Sequence, residues 1–346
     1  MLSLFKKKEK PTYQAFIQSM NKTVTVKHRQ TLLEAALEAG LDYPFSCGAG
    51  SCTTCKTKLI QGEYKDLSDM SLVLTEDDLK KGYILACQAI PKTDLIVTLE
   101  PDESKEFSGQ ISGYRKLTHD IVEIKIKLNE KIRYSAGQYA DLFVPSIKGS
   151  RSYSFASAPG AGGGNVEVVF HIRLVPGGEM TTWFHAQDRN GEKVKLRGPR
   201  GSFGWREEKG TWLCIAGGSG MAPIRAMLED AAQKKTKKKI IYLFGARTEK
   251  DLYALDDMKK FAGSFGDQFT FVPVLSHEDA GSGWKGARGF VTEMIEKQNL
   301  DFKDTAAFLC GPPPMIDAAI SRLSELGIQK HDIFFDKFTD KSHVNK

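Results

Sequence analysis

No stretch of this 346-residue chain approaches the roughly 18 consecutive apolar residues that a membrane-spanning helix needs, so no helical span is expected. The start, MLSLFKKKEK, sets its apolar residues ahead of its lysines and lacks the apolar core of a secretory signal. An excess of charge of one sign is also lacking. The formal net charge of +6 falls far short of what would mark a nucleic-acid binder, and no nucleic-acid partner is expected. Six cysteines are too few and too unevenly spaced for a disulfide scaffold. Missing too are a G-x4-G-K-S/T phosphate loop and a G-x-S-x-G nucleophile elbow. None of the seven histidines stands in a C-x-H or H-x3-H pair, so neither a Rieske centre nor an oxygenase iron site is visible. Internal repeats and long low-complexity tracts are absent as well. With 41% hydrophobic and 27% charged residues the composition is that of an ordinary globular protein, and a cytoplasmic one is the default expectation.

What is present divides unevenly. The first ten residues carry a local charge of +3, residues 12–100 a net of −2, and the remainder is basic. This points to a slightly acidic module at 12–100 joined to a basic part near Glu100-Pro101-Asp102-Glu103-Ser104. A second seam falls in Arg206-Glu207-Glu208-Lys209-Gly210, which gives modules at 105–207 and 208–346. The first opens with two strands between Tyr13 and Val26, then a helix after Thr31 that presents Leu32, Leu33, Ala36 and Leu37. The second is dense in alternating strands such as Ile121–Ile126 and Val166–Phe170, with a loop by composition at Gly160–Asn165. From Trp212 onward apolar strands alternate with helices at Pro223–Ala232, near Leu255 and from Met315. That alternation predicts an α/β, doubly wound parallel sheet.

Cys47, Cys52 and Cys55 form C-x4-C-x2-C, with 31 residues between Cys55 and Cys87. This is the plant-type spacing for a 2Fe–2S cluster held by four thiolates. The intervening Gly48-Ala49-Gly50-Ser51 and Thr53-Thr54 are small, which lets backbone N–H groups face the cluster sulfurs. Structural zinc favours two paired knuckles, and Cys52-Thr53-Thr54-Cys55 alone would also suit a dithiol; both remain competing readings.

In the second module, Arg151-Ser152-Tyr153-Ser154 runs toward Ala158-Pro159-Gly160. Strand alternation puts Arg151 and Tyr153 on one face and Ser152 and Ser154 on the other. A guanidinium suits a pyrophosphate, a phenol can lie against a flavin, and a serine can hydrogen-bond the flavin N5 atom. A plain surface strand is the alternative. Pro176-Gly177-Gly178-Glu179-Met180-Thr181-Thr182 supports the flavin reading, as a loop that feeds a helix N-terminus fit for an anion. Gly198–Phe203 is another glycine-rich turn.

In the third module, the strand Trp212–Ala216 runs into Gly217-Gly218-Ser219-Gly220-Met221-Ala222-Pro223, where the glycines allow a tight turn and Pro223 opens a helix. Leu309-Cys310-Gly311-Pro312-Pro313-Pro314-Met315 ends a further strand, its prolines expected to fix a bend where doubly wound sheets bind ligands. Cys214 reads as a buried core thiol. Arg247, after the second strand, could take a 2′-phosphate, whereas Glu249 and Asp251 would oppose one; the balance favours NADH.

These motifs resemble known families. FSCGAGSCTTCKTKLIQGEY with ILACQ resembles the plant-type ferredoxin module, which implies an α+β β-grasp fold. Gly48 stands where that family commonly has Arg, which makes the rim less positive. RSYSFASAP resembles the antiparallel β-barrel FAD domain of the ferredoxin–NADP reductase superfamily. GGSGMAPI and CGPPPM resemble its nucleotide domain. The resemblance implies FAD contacts from Arg151, Ser152, Tyr153, Ser154, Gly178, Met180 and Thr181. It implies nicotinamide nucleotide contacts from Gly218, Gly220, Pro223, Arg247 and Gly311, with Cys310 beside the nicotinamide. Phe334-Phe335-Asp336-Lys337-Phe338 resembles the closing motif that sets Asp336 and Phe338 beside the flavin, an ordinary edge strand being the alternative.

Three such modules on one chain imply a transformer from a hydride donor to one-electron carriers, the chemistry belonging to the cofactors. THDIVEIKIK, AGQYADL, FGARTEKDLYALDDM and SGWKGARGFVTE widen the resemblance, over nearly the whole chain, to the reductase components of multicomponent oxygenases of the xylene monooxygenase type. Its implied partner is an oxygenase component, in one such system a membrane-bound di-iron hydroxylase. Leu2, Leu4 and Phe5 beside three lysines could then touch an anionic membrane at residues 2–10, a solvated tail being the bland reading. A reductase of deoxysugar biosynthesis and a non-enzymatic redox-sensing module are the alternatives.

Overall fold

The computed structural model describes residues 10–45, 48–50, 53–70, 73–100, 104–160, 162 and 164–339. Cys47, Cys52 and nearly all of residues 2–10 therefore lie outside the described residues, as does the seam at 101–103. The chain divides into two compact units, 1–103 and 104–346. No described helix is long and apolar enough to cross a membrane.

In the first unit, β1 (Tyr13–Ile17) and β2 (Lys22–Val26) form a hairpin, and α1 (Leu32–Glu38) follows. The helix starts where the sequence predicts. Thr31 Oγ1 accepts the Glu34 N–H while the Glu34 carboxylate accepts the Thr31 N–H, which satisfies two otherwise unpaired donors. Then come β3 (Lys56–Gln61), β4 (Tyr64–Asp66), α2 (Glu76–Lys80), β5 (Tyr83–Leu85), β6 (Ala89–Pro91) and β7 (Leu95–Thr98). Five of these strands make a mixed sheet in the order β2-β1-β7-β3-β5, with β1 and β7 parallel. Leu32, Leu33 and Ala36 of α1 join Ile17, Val26, Ile84, Leu85 and Val97 in one core that also contains Cys55 and Cys87.

The second unit opens with six antiparallel strands: β8 (Glu106–Lys116), β9 (Ile121–Arg133), β10 (Tyr139–Phe143), β11 (Arg151–Ser154), β12 (Gly164–Arg173) and, after helix α3 (Glu179–Ala186), β13 (Lys193–Arg200). Their order is β11-β10-β13-β8-β9-β12, and the two outer strands meet where Phe155 bridges Phe170 and the Ala156 N–H donates to the Val169 carbonyl at 2.7 Å. Glycine-rich composition misleads at one place. Gly164 and Asn165 belong to β12, paired with Arg133 and Ile132, because cross-strand pairing outweighs their turn preference.

A parallel sheet follows, built from β14 (Thr211–Gly217), α4 (Met221–Gln233), β15 (Lys239–Ala246), α5 (Leu255–Phe265), β16 (Phe269–Leu275), β17 (Ala287–Arg288), β18 (Thr305–Gly311), α6 (Pro313–Glu325) and β19 (Ile333–Lys337). Its order is β17-β16-β15-β14-β18-β19. Trp212, Cys214, Tyr242, Phe244 and Phe308 face one core, and Leu213, Ile215, Leu243 and Leu309 the other. Near-continuous apolar runs are what a sheet covered on both faces requires. The prolines after Gly311 start a helix instead of fixing a bend. Pro313 and Pro314 occupy the first turn of α6, where their missing N–H groups have no intrahelical partner to lose. The polar run before β14 is not a free hinge: Trp205 stacks on Trp212 with centroids 4.0 Å apart, and its indole N–H donates to the Met227 carbonyl.

Candidate functional site

Of the four expected cluster ligands, the described residues include two. Cys55 and Cys87 are both buried, at 2% and 4% exposure. β3 and β5 bring them together: Lys56 pairs with Leu85, and the Ala86 N–H donates to the Cys55 carbonyl at 3.1 Å. Beneath them Tyr43 and Thr57 share a buried hydrogen bond of 2.6 Å, and burial pushes the Tyr43 phenol up. The Gln88 side-chain amide donates toward Cys87 Sγ at 3.6 Å. Buried thiols met by an N–H donor are a donor set fit for an iron–sulfur cluster.

In the second unit, β11 carries the Arg-Ser-Tyr-Ser sequence against β10. Ser152 lies directly opposite Asp141, and its hydroxyl donates to Asp141 Oδ1 at 2.6 Å. Arg200, from the end of β13, pairs with the other carboxylate oxygen at 2.9 Å. The Ser152 side chain thus holds an internal carboxylate in place. Arg151 is half-buried, with one guanidinium nitrogen 2.7 Å from the Ser150 carbonyl. Tyr153 meets Phe184 edge-on at 6.4 Å, and Ser154 is buried. At the start of α3, the Thr181 hydroxyl turns back onto its own loop: it accepts the Val175 N–H at 3.1 Å and donates to the Gly178 carbonyl at 3.1 Å. A Cβ on Gly178 would stand 2.6 Å from that hydroxyl. Met180 is 1% exposed and packs into the core, so Met180 and Thr181 can offer a ligand their backbone N–H groups only.

The glycine turn lies between the ends of β14 and β18, where Ala216 pairs with Cys310. Gly218 sits at φ +56° and its carbonyl accepts the Tyr253 hydroxyl at 3.0 Å. Gly220 packs directly on β18: a Cβ there would overlap the Cys310 carbonyl oxygen and lie 2.6 Å from its carbon. Gly311, at φ +142°, lies against Gly217 in the same way. These glycines form a cradle that side chains would fill, which fits a nucleotide drawn close to the backbone. Pro223 is buried in the first turn of α4. Cys310 is completely buried, opposite Asp336 on β19; burial, then the nearby carboxylate, raise its thiol pKa well above the usual range. Phe338 closes this end, its N–H donating to the Gly311 carbonyl at 2.8 Å. Cys214 is fully buried, as its sequence context implies. Arg247 is exposed beyond β15, where the Glu278 carboxylate accepts the Glu249 N–H at 2.6 Å and Asp251 caps Thr248.

Sequence reading missed the residues that join these two places. Arg225 of α4 donates to the Ala156 carbonyl at 2.5 Å and pairs with Asp257 at 2.7 Å. Glu229, one turn later, accepts the Ala158 N–H at 2.9 Å. A charged i, i+4 pair on a helix so rich in buried residues was the available signal. Nearby, His171 is buried with neither ring nitrogen hydrogen-bonded, its Nε2 standing 3.7 Å from Glu123 and its ring edge-on to Tyr253 at 5.5 Å. Burial raises the Glu123 pKa, but His171 and Arg115 outweigh it and bring the value down to about 2.

Residues 15–92 match the 2Fe-2S iron-sulfur cluster binding domain, 108–205 the oxidoreductase FAD-binding domain and 214–320 the oxidoreductase NAD-binding domain. Over 321 residues the chain is 40% identical to the xylene/toluene monooxygenase electron transfer component of Pseudomonas putida, with 91% of each chain covered. Over 340 residues it is 36% identical to the phenol 2-monooxygenase reductase component of Pseudomonas sp. (strain CF600), with 94% of each covered. Among solved structures, the ferredoxin reductase in carbazole 1,9a-dioxygenase is similar at a TM-score of 0.65 and 26% identity, over 95% of this chain and 99% of that one.

Proposed function

The chain belongs to the family of 2Fe–2S, FAD- and NAD-binding reductases that act as electron-transfer components of oxygenases, and from that premise we propose how its residues divide the work. When bound, the nicotinamide supplies a hydride, the flavin divides it into single electrons and the cluster passes them on. The recipient is an oxygenase component acting on aromatic or related hydrocarbons; the relatives' names speak against the deoxysugar and sensing alternatives. Within this frame the first sheet is a β-grasp at 12–100, the six-stranded sheet a closed barrel at 105–207 and the parallel sheet a doubly wound nucleotide domain at 208–346.

Cys47, Cys52, Cys55 and Cys87 hold the cluster. Ser154, at the end of β11, presents its hydroxyl to the flavin N5, Tyr153 lies along the ring, and Arg151 with the backbone N–H groups of Met180 and Thr181 takes the pyrophosphate. The Asp141–Arg200 pair fixes β11 through Ser152. The turn at Gly218 and Gly220, Pro223 and Gly311 receive the dinucleotide. Cys310 acts as a neutral, buried thiol that shapes the nicotinamide end. Asp336 and Phe338 close the same end. Glu249 and Glu278 put negative charge where a 2′-phosphate would sit beside Arg247, which favours NADH.

The observation that carries this reading is the grip of Arg225 and Glu229 on residues 156–158. Helix α4 starts at the nucleotide turn, and its second and third turns hold the segment directly after the flavin strand. One rigid element therefore sets the donor site against the acceptor site. Cys87→Ser tests the electron path: flavin reduction by NADH should keep its rate while the EPR signal of the reduced cluster is lost. The same test with Cys87→Ala, which offers iron no ligand atom, decides the assignment: a variant that keeps both iron and an unchanged signal would overturn it.

A further inference from the structure

We propose that Gln88 sets the reduction potential of the iron–sulfur centre by a side-chain hydrogen bond to the Cys87 thiolate. The inference rests on the reading of Cys87 as a cluster ligand. Gln88 is 7% exposed, and its amide nitrogen donates both to Cys87 Sγ at 3.6 Å and to the Cys87 carbonyl at 3.1 Å. Its amide oxygen accepts the Ser68 hydroxyl at 2.8 Å. The two ends of the amide are thereby told apart. Turned over, the amide would set a carbonyl oxygen against the sulfur lone pairs.

The backbone pins the same residue twice: the Gln88 N–H donates to the Leu85 carbonyl at 2.8 Å, and its carbonyl accepts the Leu67 N–H at 2.9 Å. Gly50, in the left-handed region at φ +73°, lies over the side chain, and a Cβ there would come within 2.8 Å of Gln88 Cγ. A glycine between the cluster cysteines thus leaves room for this amide. Such packing keeps water from competing for the donor.

A reduced cluster carries one more negative charge than an oxidised one, so an N–H donor on a ligand sulfur stabilises the reduced form more. Burial strengthens the effect through the low local dielectric. Gln88 is a positioning residue whose donor draws electrons toward the cluster. Its removal should shift electron sharing away from the cluster about fivefold to tenfold, or roughly 40–60 mV at 59 mV per tenfold for one electron.

The experiment is a mediated redox titration of the holoenzyme followed by EPR. Gln88→Met keeps length and apolar bulk without a donor and should lower the cluster midpoint by that amount, with iron content and flavin midpoint unchanged. Ser68→Ala, which frees the amide to rotate, should give a smaller fall in the same direction, and Ser68→Thr should restore it. An unchanged midpoint in an iron-replete Gln88→Met protein overturns the proposal. If that variant fails to retain iron, Ser68→Ala decides, and a wild-type midpoint there overturns it equally. Retention of an unaltered cluster in Cys87→Ala would instead refute the ligand reading beneath it.

Discussion

Gly220→Ala isolates a steric requirement from a conformational one. Gly220 has φ −61° and ψ −13°, a right-handed conformation that alanine adopts without strain. The obstacle is the neighbouring strand: the new methyl would lie 2.6 Å from Cys310 C and 3.0 Å from Gly311 N, where ordinary contact begins at 3.4 Å. The turn and the end of β18 must then part by at least about 0.8 Å, because the Cys310 carbonyl oxygen lies closer still. β18 cannot yield readily, being paired with β14 and β19 and tied through Gly311 to Phe338. The displacement therefore falls on the nucleotide turn. Overpacking of this kind costs about 1–3 kcal/mol, and misplacement near 1 Å at a reacting centre can cost about a hundredfold in rate. Anaerobic stopped-flow measurement of flavin reduction by NADH should show a second-order rate constant lowered by about tenfold to a hundredfold. FAD content and reduction by dithionite should be unchanged. Gly218→Ala is the control: its nearest neighbour would be Arg173 Nη1 at 3.9 Å, so it fails only through φ +56°, at a cost of about 1–2 kcal/mol. Asparagine, which tolerates that region, should recover activity at 218. Wild-type kinetics in Gly220→Ala, or a milder defect there than in Gly218→Ala, would refute the reasoning.

Two further outcomes follow from the junction between the flavin and nucleotide parts. Arg225→Leu removes two charge-assisted bonds from a mostly buried guanidinium, worth about 1.5–3 kcal/mol. Flavin reduction should slow about tenfold and thermal flavin release, followed by fluorescence, should begin several degrees lower; Arg225→Lys should recover part of both by keeping the Asp257 pair, and an unchanged rate would sever helix α4 from hydride transfer. Glu123 has a folded pKa of about 2 against an ordinary 4.5, so its stabilisation is full above pH 4.5 and is lost as pH falls toward 2. Unfolding free energies from urea melts followed by flavin fluorescence across that window should fall by up to about 3 kcal/mol in the wild type. Glu123→Gln should be flatter, and identical slopes would remove Glu123 as the cause.

How much of this was legible in the sequence depends on the range of each interaction. Thr31 and the apolar spacing after it announce α1, because a capping box and an amphipathic face are local. The glycine turn before α4 is legible for the same reason. The Asp141–Arg200 pair and the Arg225–Ala156 bond join residues 59 and 69 positions apart, and nothing in residue order reveals such partners. Types alone also leave direction open: nothing in the residue order shows that the Thr181 hydroxyl is bonded within its own loop. Ser152, read as a cofactor contact, is held by the carboxylate directly across the strand pair. Tertiary pairing places Gly164 in a strand, where its composition suggests a loop.

The separate core of the first unit bears on how such proteins diversify. Its sheet, helix and buried cysteines close on one another. Substitutions on its surface can therefore fit it to a new electron recipient while the fuel-handling part stays as it was.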